Sequence, residues 1–237
     1  MSTITATLPR ATPAATRATQ QALLLCGIGA SLFFLFADAV GVVDWHGYDI
    51  ATQTTAELSA VDAPSRTAVV PLLLISSIFT VAFGIGVREV CGANHAMRRA
   101  GAFLLAAGLV SLLLPFVPIH LRAVDPTDAD RVHGLISAAT TLLALFAIGA
   151  VAASRSDWIR FYSIVTICVI AIFGAATAVL FPRVAANQPT PWLGAIERIA
   201  IYAYLSWAVV IAVDLYRHWA DEPHTDSARH WQSHVRR

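Results

Sequence analysis

Six apolar runs divide this chain, each about as long as the ~20 residues a helix needs to cross a ~30 Å hydrocarbon core. They cover roughly residues 22–43, 69–87, 100–119, 132–152 and 161–181, with a sixth from just after Trp192 to Tyr216. Composition agrees with the runs: 57% of the residues are hydrophobic and 13% charged, with a mean hydropathy of +0.65, outside the range of soluble domains. The expected fold is all-α, an integral membrane bundle of six transmembrane helices. Cys26, Cys91 and Cys168 lie within or beside these runs at unrelated spacings, so they read as small hydrophobes, not as a disulfide framework or a zinc site.

The ends differ from the middle. Residues 1–18 are rich in Ser, Thr, Ala and Pro, carry Arg10 and Arg17 and no acid, and are expected as a disordered cytoplasmic arm. Residues 19–218 form the membrane domain, and 219–237 a polar cytoplasmic tail whose histidines lack zinc spacing. Ala37-Asp38-Ala39 resembles a cleavage site, but the apolar run before it exceeds a signal peptide's ~7 to 15 residues and continues past it, so a retained span is expected.

The connections alternate in character. Between the first two spans, Asp44, His46, Asp49, Glu57 and Asp62 face only Arg66, and 54–61 reads as one or two helical turns burying Leu58 and Val61, or as an irregular solvated loop. Ser76, Ser77, Thr80, Gly84 and Gly86 in the second span suit close helix approach in lipid. Pro115 and Pro118 should kink the third span where it emerges. Asp125-Pro126-Thr127-Asp128 reads as a turn and N-terminal cap for the fourth helix. That helix carries His133, Ser137, Thr140 and Thr141 on one face, a polar stripe expected to meet protein. Asp214 and Arg217, at i and i+3, read as an interfacial pair. Arginines cluster in alternate connections: Arg88, Arg98, Arg99, Arg155, Arg160 and Arg217 against Arg66, Arg122, Arg131 and Arg183. By the positive-inside rule both termini should be cytoplasmic, in a bacterial cytoplasmic membrane.

Tyr48-Asp49 followed by Ala56-Glu57-Leu58, the Asp-Pro-Thr-Asp turn leading to His133, and Gly194, Glu197, Arg198 and Trp207 in the sixth span form a recognisable arrangement. Over about residues 20–218 it resembles the family called domain of unknown function 998, six-span bacterial membrane proteins. It departs in having Ser59 where many relatives carry Gly, and in a longer separation between the third-span prolines and the Asp-Pro turn. The resemblance implies a fold and topology and supplies no activity.

Ionisable residues inside a bilayer are costly and usually face the bundle interior with partners. Glu197 and Arg198 point about 100° apart on their helix, so each needs a partner elsewhere. Asp38 or Glu57 is expected for Arg198, and Arg131 or His133 for Glu197. With Asp49 and Asp130 these residues define the candidate polar pocket at the outer face: Asp38, Asp49, Glu57, Asp130, Arg131, His133, Glu197 and Arg198. A buried polar clasp and a substrate or proton site are both consistent with it. His46, His120 and His133 with Asp44, Asp125 or Asp130 are zinc-type ligands, but they come from three segments without ligand spacing, and no metal or cofactor is expected. A haem pair in two spans and a nucleophile elbow are likewise missing from the pattern.

The expected function is a non-enzymatic binding or transport-related membrane module with an outward-facing polar pocket. Its partners would be the lipid bilayer and a small molecule or lipid headgroup; no nucleic acid is expected, and nothing names a protein partner. The alternative is an intramembrane lipid-directed hydrolase using His133 and the outer-face carboxylates, with or without a metal.

Overall fold

The computed structural model describes residues 13–122, 127–186 and 188–221. Six helices follow one another: α1 (Pro13–Asp44), α2 (Arg66–Val90), α3 (His95–Ser111), α4 (Asp128–Ser154), α5 (Trp158–Ala185) and α6 (Leu193–Asp221). All six are long and apolar enough to cross a membrane, α3 when taken together with the 3-10 turn Leu114–Phe116 that extends it. Residues 13–18, expected within the arm, are the first turns of α1, while 1–12 and 222–237 lie outside the described residues.

Short turns join α2 to α3 and α4 to α5. Asn94 caps α3 by accepting the Met97 amide at 3.1 Å, and Asp157 caps α5 by accepting the Ile159 amide at 3.2 Å. Each helix packs on the next and α6 packs back on α1, closing a ring. Small residues permit the tightest approach, between α2 and α3. A Cβ on Gly84 would collide with the Leu105 backbone, and one on Gly108 would sit 2.7 Å from the Val81 amide nitrogen. Hydroxyls stitch three seams: Ser76 donates to Ala30 O of α1 at 2.8 Å, Ser31 to Leu205 O of α6 at 3.1 Å, and Ser111 of α3 to Ser77 of α2 at 2.9 Å.

The two ends of the ring are built differently. Towards the arginine-rich end, Leu24, Phe83, Val87, Leu104, Ile148, Ile159, Trp207 and Ile211 form one apolar core. The buried Trp207 indole donates to Ser163 of α5 at 3.0 Å. At the opposite end the apolar clusters are small, Ala37 with Leu58 and Val69, and Ala60 and Ala63 with Ile119, and they join the long connection 45–65 to the ring. Polar groups take over the packing there.

Two local expectations are corrected. The third span does not run as a kinked helix to Ile119: α3 ends at Ser111, Pro115 lies in the 3-10 turn, and the chain beyond Phe116 is non-helical, because Pro118 disfavours a helical Val117. Asp214 pairs with Arg155 at 3.2 Å and with His218 at 3.4 Å, not with Arg217, because the ring brings the α4–α5 turn beside the end of α6.

Candidate functional site

The connection between α1 and α2 is ordered by its own short-range chemistry. Thr55–Ser59 forms a 3-10 turn, the first of the two readings of this stretch, and it buries Leu58 while Val61 stays partly exposed. Glu57, 1% exposed, reaches back to accept the Thr54 amide at 2.7 Å. Ser65 donates to Leu58 O at 2.8 Å, and the Val61 amide donates to Ile119 O at 2.8 Å, fastening the turn to the chain that follows α3. Asp49 closes the preceding turn, accepting the Ala51 amide and the Thr52 hydroxyl, each at 2.9 Å. Those two donors hold its carboxyl below the ordinary range.

This connection docks on the first turn of α6. Gly194 and Ala195 donate their amides to Ala51 O at 2.9 and 3.2 Å, so a loop carbonyl satisfies helix-end donors that have no intrahelical partner. Only glycine fits at 194, since a Cβ there would collide with the carbonyl oxygens of Gln53 and Ile50.

Arg198, 6% exposed, is the centre of the arrangement. Its Nε donates to Asp38 Oδ2 at 3.0 Å and its Nη2 to Asp38 Oδ1 at 2.8 Å, a bidentate pair between α6 and α1. Nη2 also donates to the Tyr48 hydroxyl at 2.7 Å, and Nη1 to Ile50 O and Gln53 O, each at 3.1 Å. All five guanidinium N–H groups are thereby engaged. The Tyr48 ring lies 5.5 Å from the guanidinium carbon, and its hydroxyl donates to Thr54 O at 2.7 Å. Burial pushes the Tyr48 phenol up, which keeps it a neutral donor. Tyr202, one turn on from Arg198, donates to Asp38 Oδ2.

A second pair lies beside the first. Arg122 donates from Nε to Glu57 Oε1 at 2.7 Å and from Nη2 to Glu57 Oε2 at 3.1 Å. It also reaches Thr190 Oγ1 and Thr52 O, each at 2.7 Å, so it ties the connections before α4 and α6 to the 45–65 segment.

Of the expected partners of Arg198, Asp38 is the one it takes. Glu57 is held by Arg122, whose role the sequence reading missed; the available signal was an arginine following the broken third span and facing an acid-rich loop. The partners expected for Glu197 are corrected. Arg131 points outward in an exposed pair with Asp128, side chains 74% and 93% exposed, and His133 is engaged elsewhere. Glu197 Oε2 instead accepts the Thr55 amide at 2.6 Å, because the 3-10 turn sits directly over this part of α6.

At the mouth of α4, Thr127 caps the helix as its sequence suggests. Its side chain accepts the Asp130 amide at 3.3 Å, and Asp130 Oδ2 accepts the Thr127 amide at 2.7 Å. The other Asp130 oxygen accepts the His120 amide at 2.7 Å and faces His120 Nδ1 at 3.2 Å. His133 is buried, and its Nδ1 lies 2.7 Å from Val117 O. A carbonyl only accepts, so Nδ1 carries the proton there and satisfies an oxygen left over where the helix ends. Farther along the stripe, Thr140 and Thr141 donate to Ile136 O and Ser137 O of their own helix, each at 2.9 Å. Thr141 is exposed, which departs from a stripe wholly facing protein.

His46 lines an open apolar groove with Phe36, Val40, Val43 and Asp44, away from the partners that His120 and His133 take at α4. Among the described residues no group of three or more His, Cys, Asp or Glu side chains is arranged to hold a metal ion, and Asp125 lies outside those residues.

A family model described as a protein of unknown function, DUF998, matches residues 28–214. That span includes every residue of the network just described. No curated protein and no solved structure matches the chain.

Proposed function

The chain belongs to the DUF998 family, and from that premise we propose that it is a non-enzymatic binding or transport-related module, multi-pass in a bacterial cytoplasmic membrane. In this reading the loop-bearing end faces outward, both termini are cytoplasmic, and the arginine-poor character of that end supports the orientation. The candidate pocket is bounded by Asp38, Asp49, Glu57, Asp130, Arg131, His133, Glu197 and Arg198, which serve it unequally. Asp38 with Arg198, and Glu57 with Arg122, hold the cover formed by residues 45–65 on the ring.

The observation that carries the reading is Glu197. It is a partly buried carboxyl on α6 beneath that cover, bonded by the amide and side chain of Thr55 alone, and neither neighbouring guanidinium forms an ion pair with it. An unpaired acid inside a membrane protein marks a functional position. The test is ligand retention: the protein is purified into nanodiscs made from the host's own lipid extract and analysed by native mass spectrometry. A retained small molecule or lipid, lost in Glu197→Gln, supports the reading, and a wild type that retains nothing overturns it.

The second reading, a lipid-directed hydrolase, draws support from His120 more than from His133. His120 Nδ1 faces the Asp130 carboxylate while the ring stays partly exposed, the orientation a histidine base needs. Phospholipid hydrolysis by the purified protein, lost in His120→Asn, would favour it over the first.

A further inference from the structure

We propose that Glu197 is the counter-ion for an ammonium group, from a lipid headgroup or a soluble amine, that enters the loop-bearing half of the ring beside α5. This rests on the binding reading above and names its ligand class.

Charge balance is the first observation. Asp38, Glu57 and Glu197 are three carboxylates served by two guanidiniums, Arg198 and Arg122. Arg198 has its five N–H groups engaged, and each of the three Arg122 nitrogens has an acceptor. Glu197 Oε2 accepts the Thr55 amide, the Thr55 side chain bonds the same carboxyl, and neither guanidinium forms an ion pair with it. One acid is left without a compensating cation.

Position is the second. Glu197 lies about 6 Å below the start of α6 at ~1.5 Å per residue, a depth that a headgroup ammonium reaches. On the helix it shares a stripe with Tyr204, at i+7. Trp207 bonds Ser163 of α5 and stacks with Tyr204 at 6.2 Å, so the stripe turns towards α5 and the ring interior. The Tyr204 hydroxyl has no hydrogen-bond partner among the described residues, which leaves a polar group on that side free to meet a ligand.

Space is the third. In α5 the buried residues Ile159, Ser163, Thr166 and Ile170 all lie in the arginine-rich half, and none of residues 171–184 is buried. A Cβ added to Gly174 of α5 or to Gly134 of α4 would meet nothing within 4 Å. α5 is thus less closely packed in this half than in the other.

The chemistry favours an ammonium over a metal ion. A divalent ion needs several converging ligands, and no such group of three is present among the described residues. An ammonium has three N–H donors, which one carboxylate oxygen, a hydroxyl and water can accept.

The test uses the full chain in phosphatidylglycerol nanodiscs, with or without phosphatidylethanolamine, and with soluble ethanolamine as a separate probe. The wild type should retain phosphatidylethanolamine over phosphatidylglycerol by about tenfold or more in native mass spectra, or gain thermal stability with ethanolamine. The first result identifies a lipid source and the second a soluble amine. Glu197→Gln keeps an acceptor for the Thr55 amide and should lose either response. A variant responding as the wild type does, or a wild type responding to neither probe, overturns the proposal. Retention of an ammonium-free ligand from host lipids would sink this inference while leaving the binding reading intact, and retention of no ligand at all would sink both.

Discussion

Arg198 and Asp38, 160 residues apart, meet through two parallel hydrogen bonds of 3.0 and 2.8 Å, and each side chain is 7% exposed. Removing one member of such a pair leaves the other's charge buried, which typically costs about 3 to 5 kcal/mol. Arg198→Ala should lower stability in detergent by about that much, and Arg198→Ala with Asp38→Ala by less than the sum of the two single changes. Arg198→Lys should not restore it, because an ammonium cannot span Asp38, Tyr48 and the two loop carbonyls together. Additive effects in the double-mutant cycle would show that the pair is not the clasp.

Gly194→Ala should dislodge the 45–65 cover, since the new methyl would occupy the place of the Gln53 and Ile50 carbonyl oxygens. A loss of about 1 to 3 kcal/mol is expected, as for other overpacked sites, together with faster proteolysis within 45–65. Gly134→Ala, facing open space, is the matched control and should be silent. Equal behaviour of the two variants would contradict the docking described here.

His133→Ala strips the Val117 carbonyl of its donor. Leaving a buried acceptor unmet costs about 1 to 3 kcal/mol, so thermal denaturation should register a clear loss. Should stability hold while a cellular phenotype disappears, His133 acts on a substrate and not on the chain after α3.

The proposed orientation is open to labelling. In a background lacking Cys26, Cys91 and Cys168, a cysteine at the exposed His46 should react with an impermeant maleimide in intact cells. One at the exposed Ser156 should react only after permeabilisation. The reverse pattern would turn the bundle over and move the candidate pocket to the cytoplasm.

Asp49 makes the 45–65 segment sensitive to acid. Its folded pKa is depressed by the Thr52 hydroxyl and Ala51 amide, so its contribution is complete above the ordinary Asp value near pH 4 and is lost as pH falls through the lower folded value. Proteolysis of the segment by an acid-active protease should accelerate across that window in the wild type. In Asp49→Asn it should be faster throughout and less dependent on pH, and identical profiles would rule the carboxylate out as the cause.

Much of the bundle was legible because its causes are local. An apolar run's length determines whether a helix can span a membrane, and a cap such as Thr127 with Asp130 acts over three residues, so neither depends on the rest of the fold. The polar character of one end and the need of Arg198 for a partner are likewise properties of nearby sequence. The fate of the third span was less legible, since two prolines indicate where a helix is disturbed but not whether it bends or stops.

Choice of partner belonged to the tertiary structure. Sequence allowed Arg198 either Asp38 or Glu57; ring closure of α6 on α1 brought Asp38 alongside, while the non-helical chain after α3 delivered Arg122 to Glu57. Arg131 and His133 are two residues apart on α4, yet one faces solvent and the other the Val117 carbonyl, a difference set by the helix's rotation against its neighbours. Glu197 was identifiable as an acid in need of compensation, but that both nearby guanidiniums would be engaged elsewhere follows only from how distant segments converge. Electrostatic pairing acts over a few ångströms, and those distances are created by packing, not by spacing along the chain.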